Sequence, residues 1–398
     1  MLAIVNGTVY TPTRLIPDGV VLIDGERIAA VGARDQVTLA DGVPRLDAAG
    51  CTVCPGLVDI HAHGGWGVDF TDGDPETLPL AARRHLADGT TSLLATTGTA
   101  PMPEVWRAFD AIRERMRRPD PRGARLLGIH MEGPFLNSAQ AGAHDPALLR
   151  MPTGEERERL LAYAGDLARV TLAPERDGAL ELTADLAAQG VLVSGGHSDA
   201  LYAQVCRAME AGMRHITHLW SAMSTVRRIG AKRHSGMLEA ALLEDGLTGE
   251  IIADGYHLPT SLMRMALRLK GADRLCLVSD AMRASGQGPG EYDVCGLKAV
   301  VEPGDGVAMT ADRTAFAGSI ATMRQCLRQM VDVVGVSLGD ALRMATLTPA
   351  AILGVEDRVG RLAPGCYADV LVLARGTLDI RHLLLGGVAV PTGPAARS

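Results

Sequence analysis

Two histidines one residue apart, His61 and His63 in DIHAHGGW (59–66), have the spacing of a metal-binding pair. The preceding PGLV reads as a turn and then an apolar strand. Residues two apart in a strand project to the same face, so both imidazoles aim in one direction. Chance proximity is the ordinary alternative for an isolated His-x-His. Similar side chains recur at the ends of other apolar segments, however. Glu132 stands in HMEGPF, His197 in SGGHSD, His218 in ITHLW, Asp254 and His257 in ADGYHLP, and Asp280 in VSDAM. Each has a bland explanation: a hydrogen-bonded structural histidine, a helix-capping Asp280, or a Glu132 that neutralises an arginine. His215, close before His218, is not counted. Together, the imidazoles of His61, His63, His197 and His218 and the carboxylates of Glu132 and Asp280 are the ligands expected of zinc and similar divalent ions. A strand-end aspartate beside the activated water is placed to act as base.

The elements that must bring these residues together can be read from the apolar rhythm. Eight strand-like segments occur at 56–61, 91–96, 125–132, 168–175, 190–197, 213–219, 249–255 and 274–280, with stretches of helical character between most of them. Examples of the latter are PETLPLAARRHLAD and TSLMRMALRLKGA. Strands alternating with helices predict βα units and a parallel sheet. Eight units in a section of this length match a (β/α)8 barrel, whose usual size is about 250 residues and whose active site lies at the C-terminal strand ends. The chemically distinctive residues fall at those ends. The flanking regions differ: LAIVNGTVYT, GVVLIDGERIAAVG and PRLDAAGCTV near the start, and VGRLAPGCYADVLVLARG and IRHLLLGGVAVPTG near the end, read as short strands with turns. The expected organisation is an α/β TIM-like barrel over 54–357 and a small β-sandwich domain built from 1–53 and 358–398.

Composition narrows the function. Of 398 residues, 47% are hydrophobic and 21% charged, as in an ordinary globular protein. No apolar run approaches the roughly 18–20 residues of a membrane span, and the first residues lack the basic region and cleavage site of a signal peptide. A net charge of −7 with interspersed signs predicts no nucleic-acid partner. Seven scattered cysteines fit the core thiols of a reduced, cytoplasmic protein. Cys51 and Cys54 form C-x-x-C without a second pair or a following helix, so neither a zinc finger nor a redox motif is expected.

The order H-x-H, strand-three Glu, two later histidines and strand-eight Asp resembles the amidohydrolase superfamily. Within it, PGLVDIHAHG, HMEGPFLN…GAH, GGHSDA, THLWSAM, DGYHLP, SDAMRASG…GEYDVCGL and FAGSIATM resemble the N-acetylglucosamine-6-phosphate deacetylases. The resemblance spans nearly the whole chain, including YADVLVL in the flanking β region. It implies hydrolysis of an N-acetyl amino sugar 6-phosphate to acetate and the free amino sugar, by a homodimer with one or two divalent ions per chain. Zinc leads the candidates, followed by iron, manganese or cobalt. By resemblance, Glu132, His197 and His218 hold one ion, while His61 and His63, with Glu132 bridging and Asp280 below, hold a second. Asp280 resembles the catalytic acid/base. His144 and His257 resemble substrate-binding groups, with His257 polarising the acetyl carbonyl.

The chain departs from the family where phosphate is bound. THLWSAM, with Trp220, Ser221 and Ala222, replaces the usual THLFNAM, and a serine offers fewer donors than the amide. The following STVRRIGAKRHSG carries Arg227, Arg228, Lys232, Arg233 and His234, either a phosphate site or a solvated basic loop. Trp66 places a bulky ring near the expected mouth. A different N-acyl amino sugar is therefore an alternative substrate. From another class, the alternative is a catalytically inactive metal-binding sensor or scaffold.

Overall fold

A computed structural model describes residues 1–11 and 14–392; the end of the GGVAVPTG stretch, from 393, lies outside the described residues. All eight expected barrel strands form: β1 (Leu57–Ala62), β2 (Thr90–Thr97), β3 (Arg125–Glu132), β4 (Leu167–Leu172), β5 (Leu192–Gly195), β6 (His215–Ile216), β7 (Thr248–Ile252) and β8 (Leu275–Val278). Each pairs in parallel with the next along the chain. The ring draws shut where Ala62 bridges Ala281 and the Asp280 N–H donates to the His61 carbonyl at 2.9 Å. Every residue of β1, β2 and β8 is buried, which is why these strands read as continuous apolar runs rather than alternating ones.

Helices cover the outside of the barrel. In Met102–Arg117 the buried positions Val105, Phe109 and Ile112 recur at the spacing of one helical face. The Phe109 ring meets Trp106 edge-on at 5.6 Å and Tyr163 at 5.2 Å, and Phe109 has no exposed surface. Phe109→Ala is expected to cost about 3–5 kcal/mol of stability through lost transfer energy and the cavity it leaves. Chemical denaturation checks this, and a loss below about 1 kcal/mol would contradict such tight packing.

The two chain ends share one eight-stranded sheet. Cys51–Pro55 pairs antiparallel with Val370–Ala374, joining N-terminal and C-terminal strands. Ile4, Val21 and Ile23 pack in the same core as Val370, Val372 and Leu384, so the expected small β domain is a sheet unit built from both ends of the chain. Cys54 lies buried in this region, and all seven cysteines are free thiols. Among the described residues no helix is long and apolar enough to cross a membrane.

Two insertions went unpredicted. One is a hairpin of Arg227–Ile229 and Lys232–His234. The other is an antiparallel sheet of Gly290–Val294, Leu297–Val301, Val307–Thr310 and Phe316–Ser319, following β8. Its first turn is the two-residue loop Cys295–Gly296, with φ of 46° and 86°. That left-handed pair usually announces itself as Asn-Gly or Asp-Gly; here a cysteine occupies the first position and hides the turn.

Candidate metal centre and active-site cavity

The barrel brings His61, His63, Glu132, His197, His218 and Asp280 into one buried cluster at the C-terminal ends of its strands. His197, His218 and Asp280 hold left-handed backbone, with φ of 45°, 22° and 47°. For non-glycine residues such conformations cost on the order of 1–3 kcal/mol each and concentrate at functional sites.

Glu132 divides the cluster into two lobes. Its Oε2 lies 3.2 Å from His61 Nε2 and 3.0 Å from His63 Nε2. Asp280 Oδ1 completes that lobe, 3.3 and 3.4 Å from the same two nitrogens. On the other side, Glu132 Oε1 lies 3.1 Å from His218 Nε2 and 3.4 Å from His197 Nε2. The imidazole nitrogens also face each other, His61 to His63 at 3.3 Å and His197 to His218 at 3.1 Å. Ligand atoms about 2.0–2.1 Å from a tetrahedral zinc stand about 3.3–3.4 Å apart, so these spacings fit donors converging on shared cations. The charges agree. Burial opposes protonation of His61, yet the carboxylates of Glu132, Asp280 and Glu250 raise its pKa to about 10. Burial likewise opposes ionisation of Glu132, but His61, His197 and His218 hold its carboxyl well below the usual range. Both shifts describe a pocket that favours positive charge among its carboxylates.

Partners behind the ligands fix ring orientation. His61 Nδ1 lies 2.7 Å from Glu250 Oε1, and His197 Nδ1 lies 3.0 Å from the Gln140 carbonyl. Both contacts engage Nδ1, so Nε2 is the nitrogen each ring turns towards Glu132 and would offer to an ion. His257 Nδ1 is 2.7 Å from Asp254 Oδ2, while Asp254 Oδ1 accepts from the Tyr256 and His257 backbone N–H groups at 2.9 Å each. His144 Nδ1 meets the Thr99 hydroxyl at 2.7 Å, with its Nε2 3.8 Å from Glu132 Oε2. Burial, then the neighbouring His197, lower the His144 pKa, which keeps the ring neutral. Burial pushes the Asp280 carboxyl up, but His61 and His63 bring it below its ordinary value, so it is an anion.

These groups open into a cavity of about 380 Å³, which His144, His257, Trp220, Ser221 and Ala222 also line. Its far wall comes from the inserted sheet, through Val294, Cys295, Phe316 and Ala317. Gly98 makes room for that wall: a Cβ there would sit 2.3 Å from Cys295 Sγ. Other expected residues lie elsewhere. Arg227 Nη1 is paired with Asp199 Oδ2 at 2.5 Å, and Arg228, Lys232 and Arg233 are exposed on the hairpin. No Arg or Lys lines the cavity among the described residues. Trp66 packs against the Gly286 turn, where a Cβ would be 2.6 Å from its ring, and does not line the cavity.

Sequence reasoning passed over Glu250 and Arg169, although both sit inside apolar strands. A charged residue in such a strand requires a buried partner, and that signal was available. Gln140, Cys295 and Phe316 carry no comparable mark. His215 belongs to a separate group with Glu250 and Cys276. There Arg169 Nη1 lies 2.6 Å from Glu250 Oε2 and supplies the positive charge.

The chain matches the amidohydrolase family over residues 52–390. It is 36% identical to the N-acetylgalactosamine-6-phosphate deacetylase of Escherichia coli O157:H7 over 336 residues, covering 84% of this chain and 86% of that one. It is 34% identical to the N-acetylglucosamine-6-phosphate deacetylase of Bacillus subtilis (strain 168) over 392 residues, covering 98% and 97%. Among solved structures it is similar to an N-acetyl-D-glucosamine-6-phosphate deacetylase mutant from Mycobacterium smegmatis in complex with N-acetyl-D-glucosamine-6-phosphate. That likeness has a TM-score of 0.89 and 35% identity, and covers 98% of this chain and 99% of that one.

Proposed function

Because this chain belongs to the amidohydrolase family, we propose that it removes acetate from N-acetylglucosamine 6-phosphate, leaving glucosamine 6-phosphate. The observation that carries this reading is the Glu132-bridged cluster with Asp280 at its edge, opening into a cavity of sugar size. His61, His63 and Asp280 on one side of Glu132, and His197 and His218 on the other, would hold one or two divalent ions, zinc foremost and iron, manganese or cobalt as alternatives. A bound ion supplies Lewis acidity, which lowers the pKa of water and polarises the amide carbonyl.

The chain's own residues do the rest. Asp280, an anion here, accepts the proton of the attacking water and returns it to the departing amine, so one group serves as base and then as acid. Asp254 holds His257 by Nδ1, and the ring, which lines the cavity, meets the acetyl oxygen as the tetrahedral oxyanion develops. His144, neutral and anchored by Thr99, meets the sugar. Ser221, with backbone N–H groups near Ala222, meets the 6-phosphate, while Arg227 and Arg228 act on its approach from the hairpin. Trp66 shapes the surface near the mouth. The segments 1–53 and 358–398 form one unit and 54–357 the catalytic barrel, in a cytoplasmic homodimer.

A second reading rests on two observations. The match to an N-acetylgalactosamine-6-phosphate deacetylase, and the absence of Arg or Lys from the described cavity lining, favour a related N-acyl amino sugar. An acetate-release screen over N-acetylglucosamine and N-acetylgalactosamine, each with and without 6-phosphate, separates the two. The expected result is a kcat/KM at least about 10-fold higher for N-acetylglucosamine 6-phosphate than for the unphosphorylated sugar, the gain of about 1.4 kcal/mol or more that one charge-assisted contact supplies. Equal values would sink the phosphate assignment, and no acetate from any of the four would sink the deacetylase reading.

A further inference from the structure

One buried ion pair on the barrel axis touches ligands of both lobes. Glu250, on β7, and Arg169, on β4, have no exposed surface. Glu250 Oε1 lies 2.7 Å from His61 Nδ1 and accepts from the His218 backbone N–H at 3.1 Å. Arg169 Nη1 donates to Glu250 Oε2 at 2.6 Å and to the Ile60 carbonyl at 3.2 Å, and Nη2 donates to the Thr217 hydroxyl at 2.7 Å. The pair thus grips β1 next to His61 and the chain just after β6 next to His218. Burying a carboxylate and a guanidinium is expensive unless each finds several partners; besides the groups beside the two lobes, Arg169 Nε donates to the Ser194 hydroxyl at 2.9 Å and His215 Nε2 lies 3.2 Å from Glu250 Oε2. The two ligands are not treated alike: Glu250 meets the ring of His61 but only the backbone of His218, whose Nδ1 has no partner.

We propose that Glu250, held by Arg169, is a positioning residue that sets the occupancy of the His61/His63 lobe, and so whether the enzyme carries one ion or two. The inference rests on the metal-dependent reading above. With its carboxylate on Nδ1, His61 presents the Nε2 lone pair and gains basicity, and the added negative charge offsets a second cation beside the first. Lacking such a ring contact, the His197/His218 lobe does not depend on Glu250 in the same way.

The test loads the full chain with Zn2+, dialyses it against graded chelator and measures metal per chain by atomic emission. The visible spectrum of Co2+-loaded protein serves as a second readout. Two classes of ion are expected in the unaltered chain. Glu250→Gln should release one class about 10–100-fold more readily and leave the other unchanged, with loss of the matching Co2+ band. That substitution leaves Arg169 without its charge partner, so the double variant Arg169→Met/Glu250→Gln is measured alongside. It should recover thermal stability but not the weakened class. If metal retention returned with stability, Glu250 would merely neutralise Arg169, and the inference would fall. Equal retention in all three proteins, or a single class in the unaltered chain, would overturn it and leave the deacetylase reading standing. An unaltered chain that binds no ion would overturn both.

Discussion

Asp280→Asn is expected to lower kcat for acetate release by about 10²–10⁴, the usual contribution of a positioned general acid–base group. The asparagine keeps the volume and an oxygen near His61 and His63, 3.3 and 3.4 Å away in the native site, but its amide can neither accept the proton of the attacking water nor return it to the amine. KM should change little, because the groups proposed to meet substrate, His144, His257 and Ser221, are separate from Asp280. Metal per chain must be measured with the kinetics, since Asp280 also faces the His61/His63 lobe. A low kcat with metal retained assigns the loss to proton transfer. Turnover within a few-fold of the unaltered protein would remove Asp280 from the proton's path.

Glu132→Gln should be at least as damaging, for a different reason. The two carboxylate oxygens face opposite lobes, Oε2 towards His61 and His63 and Oε1 towards His197 and His218. A glutamine amide has one acceptor oxygen and one donor-only NH2, so whichever way it turns, one lobe meets N–H groups where a ligand oxygen belongs. The expected outcome is at most one ion per chain in Glu132→Gln, and none retained against chelator in Glu132→Ala. Acetate release should fall by more than about 10³ in both, since both Lewis acid and bridging charge are compromised. Two tightly held ions in Glu132→Gln would contradict the bridging geometry.

Much of this site was legible because barrels obey strict positional rules. Strands buried on both faces must be apolar, so His61, Glu132, His197, His218 and Asp280 stand out where such runs end. Parallel βα connectivity sends all those ends to one rim. The ligand types then name the chemistry. Glu250 and Arg169 were equally visible as charges inside apolar strands, but their spacing along the chain says nothing about which charges pair.

The basic hairpin shows the limit. Arg227 and Arg228 carry the right charge for a phosphate, yet Arg227 is paired with Asp199, a partner 28 residues away. Trp66 stands three residues after His63 but turns onto Gly286. The wall carrying Cys295 and Phe316 comes from an insertion whose strands are short and whose turn lacks the usual residues. Apolar periodicity and residue chemistry along the sequence establish the barrel, its rim and the residue types gathered there, because both report local burial. Only the tertiary structure decided how Glu132 splits that set in two, which cations are already paired and what closes the cavity. Those depend on the approach of segments distant in the chain, and no local pattern encodes that approach.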